Sequence, residues 1–115
     1  MVLPEHGHLL RIFIGESDKY ESKPLYEWIV QKARENGIAG TTVLRGIEGF
    51  GAHSRIHTSK ILRLSQDLPI VIEIVDTLEK IDNFIPMIDD AIDEGMATIE
   101  DVQIRFYRSG KKKEE

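Results

Sequence analysis

The sequence contains no cysteine among its 115 residues. Disulfides, thiolate metal sites and a cysteine nucleophile are therefore excluded, and a reducing compartment is permitted. Cations are outnumbered: 15 Lys and Arg stand against 20 Asp and Glu, a formal net charge of −5. That balance leaves little for a partner such as nucleic acid, whose binding needs a strongly cationic face. Long apolar runs are also missing. The longest, Pro69 to Val75, is interrupted by Glu73 and is far shorter than the ~20 residues that cross a bilayer, so no direct membrane insertion is expected. Met1 to His6 has no basic segment followed by an apolar run, so no secretory signal is read there. What is present is ordinary for one globular domain, with 41% hydrophobic and 30% charged residues. A cytoplasmic location is expected.

Leu10, Ile12 and Ile14 alternate with Leu9, Arg11 and Phe13, the period of a strand ended by Gly15. A polar stretch, Glu16 to Lys23, leads to Pro24, which suits a helix start. Leu25, Tyr26, Ile29, Val30 and Ala33 form an apolar stripe at helical spacing, with Gly37 placed for a left-handed C-cap. A second strand is predicted over about Thr41 to Phe50, dotted with Gly46 and Gly49, then a long connection from Gly51 to about Asp67. Pro69 opens a third strand that alternates Ile70, Ile72 and Ile74 with Val71, Glu73 and Val75. Asp76 with Glu79 resembles a capping box, and Thr77 competes as N-cap. Leu78, Ile81, Ile85, Ile88 and Ile92 mark a second amphipathic helix closed by Gly95. Pro86 inside it predicts a kink or two short helices. The last strand is read from Val102, Ile104 and Phe106, and the charged tail from Ser109 to Glu115 is expected to fray.

This β-α-β-β-α-β order predicts an α+β, ferredoxin-like fold, with four antiparallel strands and both helices on one face. Right-handed crossovers place strands one and three in the centre. The opposite face then carries apolar residues, Leu9 and Phe13 or Val71 and Val75, which predicts a homo-oligomer packing sheet on sheet.

From Gly49 to Gln66 there is no Asp or Glu, while Arg55, Lys60, Arg63, His53 and His57 all fall there. A cationic loop on an acidic protein is the electrostatic footprint of an anionic partner. Before it runs Arg45-Gly46-Ile47-Glu48-Gly49-Phe50-Gly51, where glycines let backbone N–H groups approach an anion closely. The run fits neither the P-loop nor the dinucleotide fingerprint. His53 and His57 have metal spacing only on a helix, and His6-Gly7-His8 lies near an end, so no metal site is assigned. Asp89, Asp90, Asp93 and Glu94 read as a solvated face. No nucleophile–base pair stands out, so no catalytic residue is assigned.

The run Gly37-Ile38-Ala39-Gly40-Thr41-Thr42-Val43, followed by Gly49-Phe50-Gly51, resembles the PII signal-transduction proteins at the base of their flexible T-loop. Leu68 to Val75 resembles their third strand. A closer resemblance is to the uncharacterised PII-like branch filed as a domain of unknown function. It runs through Pro24-Leu25-Tyr26, Gly40, Arg45-Gly46-Ile47, Gly49-Phe50-Gly51, Asp67-Leu68-Pro69 and Glu73-x-x-Asp76, covering most of residues 9–107. The domain is read as residues 1–108 and the charged tail as 109–115.

The resemblance implies a homotrimer with ligand sites in clefts between subunits, and an adenine nucleotide as effector ligand rather than as a cofactor. The segments carried over by position are Thr42, Gly49, Phe50 and Gly51 on one side and Gly95, Met96, Ala97 and Thr98 on the other. Arg45, Gly46 and Arg55 are added as anion-binding candidates. Where PII proteins are rich in Gly and Lys, Gly95 to Asp101 has one Gly and no Lys, and the C-terminal arginine segment is reduced to Arg105 and Arg108. These departures favour AMP or ADP over ATP. The expected function is that of a regulatory protein that is not an enzyme, signalling through a T-loop-like segment, 51–67, to a partner protein such as a membrane transporter or an enzyme. The alternative is a small phosphate-ester or acyl-phosphate hydrolase on the same fold, though the phosphate loop with paired Arg and Asn is not found. An RNA-recognition motif shares the element order, but the third strand lacks the aromatics that stack bases.

Overall fold

The computed structural model describes residues 5–49, 57–58 and 68–110, with His57 and Thr58 described through their backbone alone. The elements are β1 (His6–Gly15), β2 (Lys19–Tyr20), β3 (Lys23–Pro24), α1 (Leu25–Glu35), β4 (Gly40–Arg45), β5 (Glu48–Gly49), β6 (His57–Thr58), β7 (Pro69–Asp76), α2 (Leu78–Asp89) and β8 (Met96–Gln103). The main sheet has four strands in the order β4-β7-β1-β8, every neighbouring pair antiparallel. This is the ferredoxin-like arrangement that the element order predicts, with the first and third main strands central.

Alternation along the central strands decides which face the helices cover. Leu10, Ile12 and Ile14 on β1 and Ile70, Ile72 and Ile74 on β7 are buried beneath Leu25, Ile29 and Ala33 of α1 and Ile81, Phe84 and Ile88 of α2. Among the described residues Phe84 is the largest fully buried side chain, although the stripe read from the sequence passes over it. The opposite face carries Leu9, Arg11, Phe13, Val71, Glu73 and Val75, all half-buried.

The corner between the halves is fixed by side chains. Thr77, not Asp76, caps α2, its Oγ1 accepting the Lys80 N–H at 3.2 Å. Lys80 Nζ donates to the carbonyls of Asn36 and Gly37, at 3.3 and 3.0 Å. A cation thereby meets the negative end of α1. Gly37 is in the left-handed region at φ 69°, as a C-terminal glycine should be.

Several boundaries differ from expectation. The second main strand ends at Arg45, and Glu48–Gly49 pairs separately with His57–Thr58. The last strand is Met96–Gln103 rather than one centred on Val102 to Tyr107, because β8 is an edge strand exposed on both faces and lacks the alternation that marks the others. Just beyond Gln103 the Ile104 N–H still donates in register to the Glu5 carbonyl. Pro86 sits inside α2 without splitting it. The helix ends at Asp89, so Gly95 does not close it. Instead, Gly95 opens β8 against the Phe13 carbonyl, from which a Cβ there would lie 2.6 Å. The polar stretch before Pro24 holds the small hairpin of β2 and β3, and Pro24 is the N-cap of α1.

Candidate functional site

The first group of candidate residues lies where β4 leaves the sheet. Gly46 N–H donates to the Pro69 carbonyl at 2.8 Å, which draws the chain onto the start of β7. A Cβ at Gly46 would stand 2.9 Å from Pro69 Cγ, and one at Gly49 would stand 3.3 Å from it. Glycine here permits close packing on the proline ring. Arg45 is exposed, and its guanidinium is held by Glu16, Nη2 to Oε2 2.8 Å. An anion arriving at Arg45 must compete with that carboxylate. Thr42 lies opposite Glu73 on the face without helices. Phe50, Gly51 and Arg55 lie outside the described residues, as do His53 and most of the 51–67 segment.

The second group lies at the start of β8. Met96, Ala97 and Thr98 are exposed and stand opposite Phe13, Ile12 and Arg11. Register places the two groups at the same end of the sheet. Phe13 faces Val71, Val71 faces Leu44, and Phe13 also faces Met96. Leu44 and Met96 are thus level but on opposite outer strands, three inter-strand steps or about 14 Å apart. One chain does not bring the groups together. Arg105 follows Gln103, which pairs with His6 at the far end of the sheet, so the chain does not join it to either group.

Sequence reasoning missed the polar cluster at the centre of the helix-free face. Arg11 Nε donates to Glu73 Oε2 at 2.9 Å and Nη1 to Glu100 Oε1 at 3.2 Å. The hydrogen bond to Glu73 is the chief cause pushing the guanidinium above its ordinary range; desolvation works against it and Glu100 reinforces it. The signal was there to find: Arg11 interrupts an apolar alternation and Glu73 interrupts its partner strand.

Among the described residues no group of three His, Asp or Glu side chains could hold a metal ion. His8 Nε2 lies 2.9 Å from Asp101 Oδ1. Asp89, Asp90, Asp93 and Glu94 are exposed, in keeping with a solvated face. No helix among the described residues is long and apolar enough to cross a membrane.

Comparison with known proteins adds the relationships. Residues 7–104 match the model of the family DUF190, described as Uncharacterized ACR. A UPF0166 protein of Aquifex aeolicus (strain VF5) is 41% identical over 98 residues, spanning 85% of this chain and 92% of that protein. Another, from Methanocaldococcus jannaschii, is 35% identical over 97 residues, spanning 84% and 89%. Among solved structures, the fold is similar to that of CPII from Thiomonas intermedia K12, a nitrogen regulatory PII-like protein bound to ADP, AMP and bicarbonate. Its TM-score is 0.63 at 17% identity, with 86% and 88% of the two chains covered.

Proposed function

This chain belongs to the DUF190 family and has a PII-like fold, and from that premise we propose that it is a trimeric regulatory protein that binds an adenine nucleotide, AMP or ADP, in clefts between subunits. The reading rests chiefly on one observation. The glycine-bearing exit of β4 and the Gly95–Thr98 start of β8 lie at one end of the sheet but on its opposite edges. A ligand that uses both must lie between two copies. Backbone N–H groups near Gly49 to Gly51 take the phosphate, with charge added by Arg45 or Arg55. ADP and AMP in the similarly folded CPII support the choice of ligand.

The segment 51–67 carries the signal. From Gly51 to Gln66 it holds no Asp or Glu, so a bound phosphate changes the local field that a partner protein meets. Occupancy of the cleft thereby favours or releases docking of a transporter or an enzyme. The protein acts in the cytoplasm and catalyses no reaction of its own.

Calorimetric titration with AMP, ADP, ATP and cyclic AMP tests this reading. Binding of AMP or ADP in the micromolar range is expected. Failure of all four below about 1 mM, a free energy weaker than about 4 kcal/mol, overturns it.

A further inference from the structure

Going beyond that reading, we propose that the stretch 105–113 is a docking surface for an anionic phospholipid membrane, on which the protein adsorbs without crossing it.

The sequence supplies the charge. From Val102 to Lys113 there is no Asp or Glu, yet five of the 15 Lys and Arg fall there: Arg105, Arg108, Lys111, Lys112 and Lys113. Runs of like charge of this kind are commonly interaction segments. On a chain of net charge −5, a locally cationic field draws in an anionic surface that the molecule as a whole repels.

The fold supplies an exposed aromatic held in place. The Ile104 N–H donates to the Glu5 carbonyl, and Ile104 Cδ1 packs over Gly7, 2.6 Å from where a Cβ would stand there. Three residues on, Tyr107 Oη donates to the Ala39 carbonyl at 2.8 Å. The chain is thereby fastened on both sides of Phe106, whose ring is nonetheless 69% exposed. The Arg108 guanidinium stands over that ring, 4.3 Å from its centre.

An exposed ring with cations beside it needs a surface that is anionic and apolar at close range. A bilayer with anionic lipid is such a surface, its charged headgroups outermost and its apolar layer just beneath. Aromatic rings settle at that boundary, and clusters of about four to eight Lys or Arg hold the headgroups. Single-stranded nucleic acid also combines phosphates with apolar faces, but it stacks on bare rings, and Arg108 already covers one face of Phe106. Position agrees as well. Gln103 pairs with His6 at the end of the sheet opposite Leu44 and Met96, so adsorption here leaves the candidate nucleotide residues uncovered.

Cosedimentation with vesicles tests the proposal, using phosphatidylcholine alone and phosphatidylcholine mixed with phosphatidylserine. The protein is expected to pellet with the mixed vesicles only and to be released as salt is raised. Lys111→Gln, Lys112→Gln and Lys113→Gln together should weaken that binding about 100-fold, at about fivefold for each cation removed. Phe106→Ala should weaken it as well, and Phe106→Trp should keep it. An unchanged circular dichroism spectrum establishes that each variant is folded. No pelleting, equal pelleting with both vesicles, or full binding by the lysine triple variant overturns the proposal. Full binding by Phe106→Ala overturns the part given to the ring. A chain that shifts a single-stranded RNA on a gel but ignores the vesicles overturns the lipid assignment. None of these outcomes bears on the nucleotide titration, so the two readings fail separately.

Discussion

The carboxylate of Asp76, 1% exposed, accepts the backbone N–H of Ala39 at 2.9 Å. Its other oxygen takes the Thr77 N–H at 2.7 Å, so one buried side chain ties the turn before β4 to the start of α2. Asp76→Ala leaves both donors without that acceptor, and a lost bond to a charged group costs about 1.5–3 kcal/mol. Urea denaturation followed by fluorescence of Trp28, the one tryptophan in the chain, measures it. A midpoint unchanged from the parent would refute the role given to Asp76.

At Gly95 there is no room for a side chain. A Cβ there meets the Phe13 carbonyl oxygen at 2.6 Å, Ile14 Cγ2 at 3.2 Å and Ile92 Cγ2 at 3.3 Å. The nearest atom is backbone of the central strand and cannot swing aside. Gly95→Ala should cost about 1–3 kcal/mol, the range of overpacking in a well-filled site, and lower the melting temperature. Gly40→Ala is its control, because a Cβ at Gly40 meets nothing within 4 Å.

Where side chains segregate by face, the sequence is readable. Isoleucines at every second position mark β7, and β1 shows the same alternation beneath the helices. Where both faces meet water, the pattern disappears. Met96 to Gln103 mixes Thr, Glu, Asp and Gln with its apolar residues, so the alternation of Val102, Ile104 and Phe106 drew the expected strand beyond its true end. The candidate site was legible as glycines but not as geometry. Nothing near Arg45 in sequence announces Glu16, because their contact arises from folding.

The β2–β3 hairpin was hidden for a different reason. Its two-residue turn is Glu21-Ser22, with φ of 54° and 69°, where such turns favour an asparagine followed by a glycine. Each L-residue held in that region costs about 1 kcal/mol. Ser22→Gly relieves one of the two and should raise stability by about 0.5–1 kcal/mol. Tyr20 packs edge-on against Trp28, centroids 4.6 Å apart, so the hairpin's stability reports through the same fluorescence. A lower melting temperature for Ser22→Gly would contradict the strain assigned to the turn.

The Glu16–Arg45 pair makes opposite predictions for its two members. Arg45, a phosphate-binding candidate, is held at 2.8 Å by a carboxylate, so ligand binding includes the cost of breaking that contact. An exposed ion pair is worth about 0.2–1 kcal/mol. Glu16→Gln should therefore tighten AMP or ADP by up to about fivefold, and Arg45→Ala should weaken it. Added salt screens both effects, so the gain from Glu16→Gln should shrink as ionic strength rises. If Arg45 were only a structural partner of Glu16, the two substitutions would lower stability alike and leave the titrations unchanged.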